Sequence, residues 1–235
     1  MTDSMLEFID VVKTFGEGAT AVTAIGGVTL SVAAGEFVAL MGPSGCGKST
    51  MLHLAGGLEE PSAGSLRVCG RELADLDLEE RAALHRREVG FVFQRLNLVA
   101  SLTALENVML PLELEGVASR EARRQARESL VAVGLSEQLD RFPDDFSGGQ
   151  QQRIAIARAV VGERRLVLAD EPTGALDTAT GDAVIELLAT LPQRTGTAIL
   201  LVTHEPRFAS WTDRVVFMRD GHIVDQTETV GELQP

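Results

Sequence analysis

The sequence has no apolar run long enough to cross a bilayer. About 18 consecutive apolar residues are needed, and the longest runs here, such as Ala198–Val202, are strand-sized. Only two cysteines are present, Cys46 and Cys69, which excludes a disulfide framework and points to a reducing compartment. The first ten residues carry acids where a secretory leader would carry a basic flank and an apolar stretch, so the segment does not read as a signal peptide. Basic residues are also scarce: 21 against 34 acidic ones, for a net charge of −13. Such a surface repels nucleic acid and anionic lipid, and a polyanion-binding role would need a strong local basic patch. The one dense basic stretch, Arg120 to Arg127, is interleaved with Glu121 and Glu128 at helical spacing and reads as a solvated helix face. Internal repeats and low-complexity tracts are absent too. What remains is a chain of ordinary globular composition, 45% hydrophobic and 23% charged over 235 residues, long enough to bury a real core.

Four short apolar runs stand out: Phe37–Met41, Leu166–Ala169, Ala198–Val202 and Val215–Met218. None alternates, so each predicts a parallel strand covered on both faces. Helical stretches lie between them, Lys48–Ala55 after the first and Thr180–Leu191 before the third. This order predicts an open α/β sheet with ligands at the carboxyl ends of its strands. Leu6–Val12, Val22–Val32 and Ser65–Cys69 read as strands of a small antiparallel sheet packed on that core. The middle of the chain is helical. Thr103-Ala-Leu-Glu106 reads as a capping box, Ser119 as the cap of a run ending near Gly134, and Ser147-Gly-Gly-Gln150 as the start of a helix through Val161, with Gly162 ending it.

Gly42-Pro-Ser-Gly-Cys-Gly-Lys-Ser-Thr50 matches G-x-x-x-x-G-K-[ST], with a buried strand before it and a helix after it, the context that this pattern requires. Gly42, Gly45 and Gly47 let successive backbone N–H groups turn toward phosphate oxygens. The helix adds its positive N-terminal end. Lys48 supplies a mobile cation for the β- and γ-phosphates, and Ser49 a hydroxyl for Mg²⁺. Pro43, Ser44, Cys46 and Thr50 complete the loop. A chance glycine-rich turn would lack the strand and helix. ATP with Mg²⁺ is the expected ligand, and its hydrolysis the expected reaction.

Leu166-Val-Leu-Ala-Asp170 is a buried strand ending in a carboxylate, the arrangement that holds Mg²⁺ opposite such a loop. Glu171 follows, placed to polarise an attacking water. His204 and Gln94 stand at two further strand ends. The first could reach a γ-phosphate and the second could ligate Mg²⁺, although each alone would read as structural.

At Phe146-Ser-Gly-Gly-Gln-Gln-Gln-Arg153 the chain resembles the ATP-binding cassette family, whose signature usually begins with Leu. The other landmarks follow in order over essentially the whole chain: the phosphate loop, Gln94 in Val-Gly-Phe-Val-Phe-Gln, the signature, Asp170-Glu171-Pro172, Ala175-Leu-Asp177 and His204. The resemblance implies a phosphate-loop NTPase (RecA-like) core sheet, an antiparallel β subdomain and an α-helical signature subdomain in one cassette spanning 1–235. The β lobe would take approximately 1–35 and 60–72, the core 36–59, 73–95 and 160–235, and the helical lobe 96–159.

It further implies that two cassettes pair head to tail around two ATP molecules, the loop of one facing Ser147, Gly148, Gly149 and Gln150 of the other. Residue by residue, Glu171 would be the catalytic base, His204 the γ-phosphate switch, Gln94 the loop sensing Mg²⁺ and the partner, and Asp177 the contact across the dimer. The adenine usually stacks on an aromatic residue near the N-terminus. With no tyrosine in the chain, Phe15 sits at the matching place and keeps the π-face, against the alternative that it is plain core. Gln94-Arg-Leu-Asn97-Leu and Leu102-Thr-Ala-Leu-Glu-Asn107-Val-Met-Leu-Pro111-Leu are similar to the lipoprotein-release and macrolide-export branch. That resemblance implies a cytoplasmic ATPase subunit held on the inner face of the membrane by a separate permease. The alternative is a mechanical ATPase signalling through a membrane protein, of cell-division or peptide-sensing type. Cassette ATPases of DNA or ribosomes need insertions or tandem cassettes that this length does not hold, and the acidity argues against nucleic acid.

Overall fold

A computed structural model describes residues 3–174 and 176–228. Its strands are β1 (Ser4–Phe15), β2 (Val22–Ala33), β3 (Phe37–Met41), β4 (Ala63–Val68), β5 (Arg71–Glu72), β6 (Val89–Val92), β7 (Leu166–Asp170), β8 (Ala198–Val202), β9 (Arg214–Arg219) and β10 (His222–Glu228). The helices are α1 (Lys48–Ala55), α2 (Leu78–Arg87), α3 (Ala104–Leu114), α4 (Ser119–Ala132), α5 (Gly148–Val160) and α6 (Thr178–Thr195). β1, β2, β4 and β5 form an antiparallel sheet in the order β2-β1-β4-β5, and the other six form a second sheet in the order β10-β9-β3-β8-β7-β6. The expected α/β architecture is thus present.

The continuous apolar runs explain the layering. In β7, Leu166 and Leu168 face one core with α1 and the antiparallel sheet, while Val167 and Ala169 face another with α3, α4, α5 and α6. In β8, Ala198, Leu200 and Val202 take the first side and Ile199 and Leu201 the second. A strand buried on both faces has no polar side to show, hence the absence of alternation. β2 packs on one face only, and there Val28, Leu30 and Val32 are buried at every second position while Thr29 and Ser31 are exposed.

Three expectations need correction. The run Val215–Met218 is not covered on both faces. It lies in β9, one place from the sheet edge, and Phe217 is 36% exposed. Ser119 is the first helical residue of α4 rather than its cap. Ala118 holds the cap position and makes no side-chain bond there. Helix α5 stops at Val160, because Val161 is already extended before Gly162 turns at φ +82°. The capping boxes at Thr103–Glu106 and Ser147–Gln150 are both formed. Arg124 bridges Glu121 and Glu128, so the basic stretch is the solvated helix face it reads as.

Candidate nucleotide site

Four neighbouring strands end on one edge of the larger sheet, because Leu40 pairs with Val202, Asp170 with Val202, and Val92 with Ala169. The segments beyond these ends carry Gly42–Thr50, Glu171, His204 and Gln94. Four pieces far apart in sequence therefore meet for a topological reason: in parallel sheets ligands gather at the carboxyl edge.

The loop is shaped by crowding from outside itself. A β-carbon on Gly47, at φ +106°, would lie 2.5 Å from the Ala24 carbonyl oxygen, and one on Gly42 would lie 2.3 Å from that of Met218. Only glycine fits where β2 and β9 come this close. In the turn after β9, the Gly221 N–H donates to the Cys46 carbonyl (3.0 Å) and the Gly221 carbonyl accepts from the Gly26 N–H (2.9 Å). That turn ties the loop to the antiparallel sheet. Gly47 is the N-cap of α1 and makes no side-chain cap bond, so no side chain competes for the first N–H groups of the helix. Lys48, 7% exposed, donates through Nζ to the carbonyls of Gly42 (2.8 Å) and Pro43 (2.9 Å), bracing the loop with its own cation. Pro43, Ser44, Gly45 and Ser49 are open to solvent, and Thr50 is half-buried. Cys46 is buried among core residues, so it contributes to the loop through its backbone.

Asp170 is buried, and that burial pushes its carboxyl pKa up, with the Ser49 hydroxyl (Oγ to Oδ1, 3.3 Å) acting in the opposite direction. A hydroxyl beside one carboxylate is an all-oxygen donor pair, the chemistry of a Mg²⁺ that takes its remaining ligands from phosphate and water. No group of three or more His, Cys, Asp or Glu fit to hold a metal occurs among the described residues, and a site of this kind needs none. Next to Asp170, Glu171 adopts φ +43°, unusual for a residue with a β-carbon. Its N–H donates to the Val202 carbonyl (3.0 Å), and its Oε1 lies 3.2 Å from His204 Nδ1. The two residues named as base and switch are therefore in contact.

Phe15 is 41% exposed at the end of β1, which excludes the plain-core alternative, and Lys13 Nζ lies 4.8 Å from its ring centroid. Gln94 is exposed, two residues beyond β6. Ser147 and Gln150 cap α5 reciprocally: Ser147 N–H donates to Gln150 Oε1 (3.0 Å) and Gln150 N–H to Ser147 Oγ (3.4 Å). Gly148 and Gly149 open the helix. Asp177 caps α6, its carboxylate accepting from the Thr180 hydroxyl (2.7 Å) and N–H (3.1 Å), which hold its pKa below the usual range. Ala175 lies outside the described residues. Among the described residues, no hydrogen bond or ion pair joins Ser147–Gln150 to Gly42–Thr50. The chain assembles the loop, Asp170, Glu171 and His204 on one edge, and among the described residues no hydrogen bond or ion pair joins Ser147–Gln150 to them.

Sequence reasoning missed two neighbours. Thr173 donates to Glu205 (3.1 Å), joining the segment after Glu171 to the one after His204. No local pattern signals a pairing across that separation. Lys13, by contrast, stands two residues from Phe15 on the same strand face, and that spacing could have been read.

The family model described as ABC transporter matches residues 25–174. The macrolide export ATP-binding/permease protein MacB of Syntrophobacter fumaroxidans is 43% identical over 231 residues, which are 97% of this chain and 32% of that protein. The chain thus spans about a third of the length of the MacB relatives it matches. The lipoprotein-releasing system ATP-binding protein LolD of Geobacter metallireducens is 45% identical over 94% of this chain and 98% of its own. A dimeric ATP-binding cassette solved in a post-hydrolysis state, bound to ADP and Pi, superposes with a TM-score of 0.89 at 39% identity, covering 97% of this chain and all of that one. On its motifs, its fold and these relatives together, the chain belongs to the ABC transporter family as one of its ATP-binding cassettes.

Proposed function

We propose that the chain is the ATP-hydrolysing subunit of a transporter, that it works as a head-to-tail pair of cassettes, and that it drives a separate membrane permease. The observation that carries this reading is the convergence of the loop, Asp170 and the Glu171–His204 pair on one sheet edge, with the signature left over. A second helix start with nothing to bind in its own chain suits a neighbour's γ-phosphate. The relative solved as a dimer supports the pairing. A permease on another chain is supported by the LolD relative, matched over nearly its whole length. No helix among the described residues is long and apolar enough to cross a membrane. We place the subunit on the cytoplasmic face, held by the permease. The same reading divides the chain into the β, core and helical lobes expected from its sequence.

In this mechanism the loop N–H groups and Lys48 hold the β- and γ-phosphates. Mg²⁺, held by Ser49, Gln94 and Asp170, would neutralise charge on those phosphates. Phe15 offers its exposed ring to the adenine, with Lys13 over one face. Glu171 accepts the proton of the attacking water through its carboxylate. His204, the γ-phosphate switch in this scheme, contacts that carboxylate through Nδ1. Ser147, Gly148, Gly149 and Gln150 of the second copy complete the site, and Asp177 lies at the contact between copies.

Glu171→Gln tests the scheme. It removes the base while keeping shape, so ATP should bind with unchanged affinity, turnover should fall at least a hundredfold, and a dimer should accumulate on size exclusion with ATP-Mg²⁺. A variant that stays monomeric at saturating ATP would sink the paired-site reading.

A further inference from the structure

We propose that Arg158 is a positioning residue that fastens the Gln94 loop to the signature helix, so that Gln94 moves with Ser147–Gln150 as one piece. Arg158 lies in the last turn of α5, the helix that Ser147 opens. Its Nη2 donates to the Leu96 carbonyl and its Nη1 to the Asn97 carbonyl, both at 2.7 Å. The fork of a guanidinium suits two acceptors side by side. Two successive carbonyls rarely offer that, because in extended chain they point to opposite sides. Here Asn97 is at φ +50°, a left-handed residue that turns both carbonyls the same way. Asparagine enters that region more readily than most residues. Among the described residues no side-chain hydrogen bond of Asn97 is formed, so its backbone conformation accounts for its place.

Arg158 makes no ion pair with any described carboxylate, and burial pulls its pKa down. A cation sheltered in this way, with carbonyls alone as partners, is a poor device for stability. Its neighbours in the helix make the point: Ile154, Ala155, Ile156, Ala157 and Ala159 are all buried and apolar. The signal was legible as one charge in an apolar run. The same loop is held again further along by Asn107 of α3, fully buried, whose amide bonds the backbone of Val99, Leu102 and Thr103. Gln94 itself has no hydrogen-bond partner among the described residues, so its place depends on the tie that begins two residues further on, at Leu96. Ser147 and Arg158 are about 16 Å apart along a rigid helix. A shift at the signature end therefore reaches the chain two residues past Gln94 through the Arg158 guanidinium.

This rests on the reading that Gln94 acts in the paired site, and the test separates the two. Arg158→Gln, Arg158→Lys, Asn97→Val and Gln94→Ala are made in the full chain. Each is assayed for ATP affinity, for kcat and KM of turnover and, combined with Glu171→Gln, for the ATP-dependent dimer. Arg158→Gln should keep ATP affinity and KM within about twofold, lower kcat and dimer yield about tenfold, and speed amide exchange at 95–98. Arg158→Lys, which keeps the charge but loses the fork, should recover part of both. Loss with Gln94→Ala but normal kcat, dimer and exchange with Arg158→Gln would overturn the proposal and leave the reading of Gln94 standing. Normal behaviour of both would overturn the two together. If Arg158→Gln does not fold, Asn97→Val decides: it keeps the guanidinium and strains the turn, and normal pairing with it would overturn the proposal.

Discussion

Two helix starts in this chain are built on opposite plans. Helix α1 opens on Gly47, which offers no side chain to its first N–H groups, and a lysine sits in its first turn. Helix α5 opens on Ser147, whose hydroxyl and the Gln150 amide satisfy each other's backbone. An uncapped helix end seeks an anion, while a self-capped end is content without one. The first is primed for a phosphate within its own chain. The second must give up internal bonds when it meets one, which suits a contact made and broken in each cycle.

The comparison breaks most visibly at Lys48. Lys48→Ala removes a charge-assisted contact worth about 2–3 kcal/mol, so ATP affinity should fall about a hundredfold by fluorescence titration. Ser147→Ala should leave the affinity of the single chain unchanged and reduce the ATP-dependent dimer instead. Equal losses from the two would mean that both starts bind the same phosphate in one chain.

A smaller difference should separate the glycines. Gly47→Ala places a β-carbon against the Ala24 carbonyl at positive φ and should lower Tm by several degrees together with ATP binding. At Gly149 the backbone has no positive φ and the added carbon meets side chain rather than backbone, the Thr180 methyl, although Thr180 can yield only by giving up its hydroxyl bond to Asp177. Gly149→Ala should cost less stability and act on dimer formation. Below these lies the cap itself: Ser147→Ala should cost about 1 kcal/mol in urea unfolding.

The acid response should be the smallest effect. Burial raises the Asp170 pKa, so the folded chain binds this proton more tightly than the unfolded one. Its ionisation therefore costs stability as pH rises from the usual carboxylate range through the raised value. Asp170→Asn should remove that cost, giving an unchanged or higher Tm at pH 7 along with lost turnover. Asp177 is shifted the other way by the Thr180 hydroxyl and N–H, so its contribution is present at neutral pH and fades as pH falls through its lowered pKa. Asp177→Ala should flatten the acid side of the stability profile, as followed by circular dichroism.

Much of this was legible because local rules and topology agreed. The loop, both capping boxes and the strand runs follow from residue type and spacing, and the parallel order of the strands then brings their ends together. What was not legible depends on distant partners. That Val215–Met218 would lie one place from an edge, with β10 reversed beside it, is a matter of strand order rather than of the run itself. Ser119 has the right chemistry for a cap, yet the chain enters the helix one residue earlier. The Thr173–Glu205 bond and the fork of Arg158 join segments whose separation no window of sequence spans.

The turn at Gly221 carries one more consequence, for the order in which the molecule is made. The phosphate loop is encoded in the first quarter of the chain, but the N–H that holds the Cys46 carbonyl belongs to a hairpin near the other end. Contacts of such long sequence separation form late in folding. During synthesis the motif leaves the ribosome long before the residue that pins it, so a nascent cassette holds a recognisable loop with no finished site. In refolding experiments nucleotide should therefore protect the chain only in the last phase, after the final two strands have docked.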